Sequence, residues 1–293
     1  MKFRKILVAV VTLMLTATGC GGSSMNTAEV EALLEKAQTT MSAVESMTAE
    51  MTMEMDMDMG MNGEVIETTT LASIRSQQHP LKMSMEMSML MSDGTKIDQM
   101  QMYAVEDGGH LHTYMSMADM WYAETMELEA MNQYNAEENM DLYLNNITDY
   151  KAEGQEDVNG TETTKISGVI KGDAMEKALA DSGMTASAES MGIDAEMLEE
   201  IYAGLEDLSV SLWVDAEGYV RKYEMDMTEM MQKVMDESVK AIGNGAPAAE
   251  GGMDVKIEKT SITMVCGEFN RVEEIVIPEE ALHLVAGEHT HAE

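Results

Sequence analysis

The chain has 293 residues, with 54 acidic against 18 basic side chains and a formal net charge of -36. That balance argues against nucleic-acid binding, which needs basic patches to neutralise phosphate, and against adsorption to an anionic lipid surface without an anchor. Apolar residues make up 45% of the chain, enough for a folded core, but the total leans on 35 Met with only two Phe and two Trp.

Lys2, Arg4 and Lys5 open the chain, Ile6 to Leu15 is apolar, and the small residues Ala17, Thr18 and Gly19 precede Cys20. This charged, apolar, small order is that of a signal peptide, and its apolar run is too short to span a bilayer. The tail A-T-G-C resembles a bacterial lipobox, with Ala17 where Leu is usual. The resemblance implies that residues 1–19 are a lipoprotein signal peptide and that Cys20 becomes the lipidated first residue. Residues 20–26 then act as a flexible tether, with Gly21, Gly22, Ser23 and Ser24 in sequence. Removing the leader strips only positive charges. The lipid would hold the protein at the cell membrane, on its extracytoplasmic face, while the acidic body is held off the surface.

Thr27 to Ser46 reads as a helix, capped by Thr27, with Val30, Leu33, Leu34, Ala37, Met41 and Val44 as its apolar stripe. From Met51 to Met61 every odd position is Met, and Thr52, Glu54, Asp56 and Asp58 alternate with them. Period two marks a strand with one apolar and one wet face. This strand, Met47 to Gly60, turns at Asn62-Gly63 into Glu64 to Ser76. Leu81 to Met91 follows, carrying Met83, Met85, Met87 and Met89, and turns at Asp93-Gly94 into Lys96 to Val105. His110 to Met115 and Met120 to Glu124 complete a six-stranded meander. Two short helices are expected over Met126 to Gln133 and Glu137 to Leu144. Strands resume at Tyr150 to Glu156 and Thr161 to Lys171 around Asn159-Gly160. Helices are expected over Asp173 to Asp181 and Asp194 to Leu205. A hairpin, Leu208 to Val214 and Tyr219 to Met227, leads to a helix from Thr228 to about Ile242. A last hairpin pairs Met253 to Val265 with Arg271 to Ile277. Residues 27–287 form one domain, and 288–293 are a polar tail. Helices follow runs of strands, so the class is α+β with a single large antiparallel sheet.

The A-T-G-C at Cys20, the stretch S-L-W-V-D-A-E-G-Y-V-R-K-Y-E-M-D-M from Ser211 to Met227, and R-V-E-E-I-V-I-P-E-E-A from Arg271 to Ala281 together resemble the LolA/LppX-like bacterial lipoproteins, in particular their poorly characterised Gram-positive branch. The resemblance implies a curved half-barrel whose concave face is covered by helices. Between sheet and helices it implies an apolar cavity that takes an acyl chain or lipid, or a domain that senses an envelope protein. The lining departs from the family: Met stands where branched aliphatics and aromatics are expected.

No nucleophile elbow, metal-protease helix or phosphate-cradling loop is present, so the reading is non-enzymatic, with no cofactor. Glu54, Asp56 and Asp58 lie in a row instead of around a point, which suits a solvated face better than calcium. His110 and His112 share a strand face, but with His283, His289 and His291 they do not form a zinc pattern. No resident metal is assigned. Cys266, in the apolar run Ile262, Met264, Val265, reads as a buried thiol. The expected groove lining is Met51, Met53, Met55, Met57, Met59, Met83, Met85, Met87 and Met89. Met suits such a face because it is unbranched and adaptable, and can repack around varied apolar ligands. The leading reading is a lipoprotein that binds or carries a lipid-like molecule. The alternatives are an interaction or sensor domain with a packed core, or a Met-rich Cu(I) binder, since thioethers are soft ligands. An oxidant sink is a further option. The sequence names no protein partner.

Overall fold

The computed structural model describes residues 25–58, 65–117, 120–127, 144–175, 207–245, 255–282 and 289–291. Helix α1 (Thr27–Met41) leads into β1 (Ser46–Asp58), β2 (Val65–Gln77), β3 (Lys82–Met91), β4 (Lys96–Asp107), β5 (His110–Met117) and β6 (Met120–Glu127). Then come β7 (Ile147–Val158), β8 (Thr161–Ile170), β9 (Leu208–Asp215) and β10 (Val220–Asp226). Helix α2 (Thr228–Gly245), β11 (Lys256–Gly267), the short α3 (Glu279–Leu282) and β12 (His289–His291) close the chain.

All twelve strands form one open sheet in the order β12-β6-β5-β4-β3-β2-β1-β11-β10-β9-β8-β7. Every described pairing is antiparallel. The expected α+β architecture, a large antiparallel sheet with helices, is the one found. The turns follow their sequence signals. Asn159 and Gly160 both take positive φ, 52° and 82°, as a two-residue hairpin turn requires. The Asn62-Gly63 turn lies outside the described residues, but Asp58 pairs with Val65 on either side of it.

Strand β11 joins the two halves. It lies between β1, where Met51 pairs with Met264, and β10, where Tyr223 pairs with the same Met264. This explains one departure from the expected order. Arg271 to Ile277 is not a strand, because both edges of β11 are already occupied. The segment runs instead along the ends of β1 to β3. There Val272 N donates to Ser46 Oγ at 3.4 Å, Ile275 N to Gln77 Oε1 at 3.3 Å, and Lys82 pairs with Glu274 at 3.3 Å. Side chains thus satisfy backbone groups that no strand is free to take.

Four smaller differences are local. The α1 cap is Asn26, not Thr27: Asn26 Oδ1 accepts from Glu29 N while Glu29 Oε2 accepts from Asn26 N, a reciprocal capping box. The helix ends at Met41 and not Ser46, since Ser46 already opens β1. Strand β6 runs through Met126 to Glu127, where a helix is expected to begin. The rest of that expected helix, and those over Glu137 to Leu144 and Asp194 to Leu205, lie outside the described residues, save that 144–146 are helical. The polar tail contributes His289–His291 as an edge strand on β6.

The core sits between α1 and the β7–β11 half of the sheet. Val30, Leu34, Ala37 and Met41 of α1 pack with Ile166, Ile170, Val210, Leu212, Val214 and Val220. Each of these side chains larger than Ala37 stabilises the fold by roughly 1.5–3 kcal/mol through burial. Met227, just before helix α2, and Met230 within it continue this cover. The helix is tied to β11 by Gln232, whose Oε1 accepts from Ile257 N at 2.6 Å and whose Nε2 donates to Val255 O at 3.1 Å.

Candidate functional site

The pairing register places the Met residues on one face and in rows. Met51 lies between Met264 and Ala72, and the row continues through Met87 to Met100. One step along, Ala49 is followed by Ile74, Met85, Met102, Met115 and Tyr122 across β1 to β6. In the other direction, Met53 lies between Ile262 and Thr70, with Met89 beyond, and Met55 lies between Thr260 and Thr68. Met57 is flanked by Ile257 and Ile66. Met59 lies outside the described residues. Sulfur therefore covers one face of β1, β3 and β4 almost continuously.

That face is not uniformly buried. Met47 and Ala49, at the start of β1, are in the core, whereas Met51, Met53, Met55 and Met57 are half-buried. Met85, Met87 and Met89 are half-buried as well. Met83 belongs to a small buried cluster with Met102, Ala104 and Leu111. The same side of the sheet thus changes chemistry along its width. Where α1 covers it, branched aliphatics are fully buried. On β1, β3 and β4 thioethers take over this face, and most of them, Met47, Met83 and Met102 apart, keep partial exposure. Met100, Met102, Met115 and Met264 share this face without having been singled out from the sequence. Met100 and Met102 alternate visibly in β4, but only the register shows that they adjoin Met87 and Met85.

The opposite face is polar. Glu54 Oε2 accepts from Lys259 Nζ at 2.5 Å and from Ser261 Oγ at 3.4 Å, and Lys259 holds its carboxyl below the usual range by hydrogen bond and charge. Glu54, Lys259, Ser167, Ser211, Glu224 and Lys151 line a cleft of about 500 Å³ on this side. Its hydroxyl and charged walls do not suit an acyl chain. Trp213 is also buried on this side, between the ammonium groups of Lys165 and Lys222, and its Nε1 donates to Glu156 Oε2 at 2.7 Å.

Other candidates are placed as follows. Among the described residues no group of three or more His, Cys, Asp or Glu converges as a metal site would. His112 Nδ1 contacts Thr125 Oγ1 at 2.9 Å. His283 lies outside the described residues, and His289 pairs through its backbone with Tyr122. Cys266 is a buried free thiol opposite Ala49, and burial pushes its pKa up to about 12. Cys20 lies outside the described residues.

The stretch from Ser211 to Met227 serves as a structural lock. Asp215 is buried and accepts from Glu217 N and Tyr219 N, each at 2.9 Å, and from Arg221 Nε at 2.6 Å. The turn so held receives α1: Thr40 Oγ1 donates to Glu217 O at 3.0 Å and Lys36 Nζ to Ala216 O. Arg221 lies over the stacked rings of Tyr219 and Phe269.

A family model described as a family of unknown function, DUF6612, matches residues 29–285. Among solved structures the chain is similar to the lipoprotein LppX of Mycobacterium tuberculosis, at 12% identity and a TM-score of 0.46 over 86% of this chain and 100% of that one. It is also similar to LprF of Mycobacterium bovis, at 9% identity and a TM-score of 0.43 over 89% and 100% of the two chains. A LolA superfamily protein of Nitrosomonas europaea gives 9% identity and a TM-score of 0.18 over 85% and 95%. A search of curated proteins finds no significant match.

Proposed function

The chain belongs to DUF6612, a family of unknown function, and we propose that it is a lipid-anchored envelope protein that binds or carries a hydrophobic, acyl-chain-like molecule on its Met face. One observation carries this reading: along one sheet face, fully buried aliphatics under α1 give way to mostly half-buried thioethers on β1, β3 and β4. Packing alone favours the branched residues that suit a strand. A flexible, polarisable side chain is favoured where the opposing surface changes, as when a ligand comes and goes.

Capture is driven by apolar burial, roughly 25 cal/mol for each Å² removed from water. No catalytic step is involved. Cys20 carries the lipid that tethers the domain through residues 21–26, and no helix among the described residues is long and apolar enough to cross a membrane. The acidic body keeps the domain clear of anionic headgroups, so a ligand reaches the groove without the sheet lying flat on the bilayer.

The test is native mass spectrometry of protein extracted in mild detergent, together with titration of the delipidated protein with a fluorescent fatty acid. A co-purifying lipid mass and saturable uptake are expected. Repeated recovery of empty protein that takes up no probe overturns the proposal.

A further inference from the structure

We propose that Met85, Met87, Met100 and Met102 form a binding site for a soft monovalent cation, Cu(I), on the Met face. Met85 pairs with Met102 and Met87 with Met100, on the adjacent strands β3 and β4. Directly paired residues have Cβ atoms about 5 Å apart, and residues two apart on a strand are separated by about 6.8 Å. The four Cβ atoms therefore mark a rectangle whose centre is about 4 Å from each corner. A thioether sulfur lies two bonds beyond Cβ, so all four can turn inward and place a metal–sulfur bond of about 2.3 Å over that centre. Three of the four suffice for a trigonal ion.

The surroundings select softness. The quartet's neighbours in the same rows are Ala72, Ile74 and Met115, which offer no carboxylate or imidazole. Hard cations need several oxygens, and divalent zinc and copper favour nitrogen or thiolate, whereas neutral thioethers favour Cu(I). Access and rigidity are both provided for. Met85, Met87 and Met100 are half-buried, while Met102 is buried and anchors the group in the small core with Met83 and Leu111. The ladder shifts immediately beyond Met87, where Ser88 pairs with Asp98 and leaves one extra residue on β4. Such bulges re-aim the side chains beside them. The strong negative charge of the chain raises the local concentration of any cation.

The site shares Met85 and Met87 with the proposed hydrophobic-ligand face, and a metal titration reads it separately from lipid uptake. Silver(I) serves as the redox-inert probe, and Cu(I) is then titrated against a chromophoric Cu(I) chelator. In protein labelled at Met methyl groups, one equivalent of silver(I) is expected to shift the resonances of Met85, Met87, Met100 and Met102 and to leave those of Met53 and Met55 in place. Met85→Leu with Met102→Leu, and Met87→Leu with Met100→Leu, keep volume and apolarity. Each pair is expected to weaken silver(I) binding at least tenfold. Cys266→Ala is expected to bind as the parent does. Shifts spread over many Met residues without a one-equivalent end point, full binding by both pair variants, or loss of binding on Cys266→Ala overturns the proposal.

Discussion

Gly218 lies directly against Thr40: a Cβ built on Gly218 would sit 2.6 Å from Thr40 Oγ1 and 3.1 Å from the Lys36 carbonyl oxygen. The residue also has φ of +94°, a conformation that L side chains rarely adopt. The β9–β10 turn thus meets the last turns of α1 at a point where only glycine fits. Gly218→Ala adds backbone strain of about 1–3 kcal/mol and pushes α1 away from the turn carbonyls that hold Lys36 and Thr40. Urea unfolding is expected to show a lower midpoint with an unchanged slope. An unaltered midpoint would mean that α1 is not docked through this turn.

Asp215 concentrates three hydrogen bonds on one buried carboxylate, two from backbone N–H groups and one from Arg221. Asp215→Ala leaves those donors unpaired, and removing one partner of such a pair costs about 3–5 kcal/mol. Asp215→Asn keeps an acceptor oxygen for the two N–H groups and gives a smaller loss. The order of midpoints, parent above Asn above Ala, is the expected result of thermal or denaturant unfolding. Equal stability of the Asn and Ala variants would show that the backbone bonds contribute nothing.

Alternation alone located the Met strands and most hairpins, because a half-exposed antiparallel strand writes its two faces into successive residues. It failed where a decision depends on which strand edge is free. Arg271 to Ile277 has the composition of a strand but meets no open edge, since β1 and β10 both hold β11. Trp213 sits in the apolar run Leu212, Trp213, Val214, which has no period to read, and its burial between two lysines on the polar face follows only from the pairing of Lys165, Trp213 and Lys222. The Met residues of β3 were legible one by one but their cross-strand neighbours were not: Met85 and Met102 are brought side by side only by the β3–β4 register.

Cys266 faces the core opposite Ala49, and desolvation, opposed by the charge of Arg221, pushes its thiol up to about 12. In the unfolded chain the thiol titrates near 8.5. Below that value both states are protonated and the residue confers no pH dependence. Above it the unfolded chain loses its proton first, so stability falls by about 1.4 kcal/mol per pH unit until the folded thiol also ionises. The difference in unfolding free energy between parent and Cys266→Ala is expected to be flat below about pH 8.5 and to shift steadily against the parent above it. Thiol reagents are expected to modify Cys266 only as fast as the protein opens. Rapid labelling of the native state would contradict the burial.

Met53 is half-buried midway along the face, between Ile262 and Thr70, with Glu54 beside it pointing to the other side. Three substitutions separate a ligand face from a solvated one. Met53→Leu preserves apolar volume and is expected to leave fatty-acid uptake unchanged. Met53→Asp places a carboxylate against the bound chain, and an ionised group forced into apolar contact costs more than the about 1–3 kcal/mol of a neutral polar group, so uptake is expected to weaken at least tenfold. Glu54→Gln alters only the polar face and its contact with Lys259, so uptake is expected to match the parent. Circular dichroism and denaturant midpoints establish that all three variants fold. If Met53→Asp takes up the probe as well as the parent does, the Met face is not where the ligand binds. If Glu54→Gln is the variant that fails, the binding surface is the polar cleft on the opposite side.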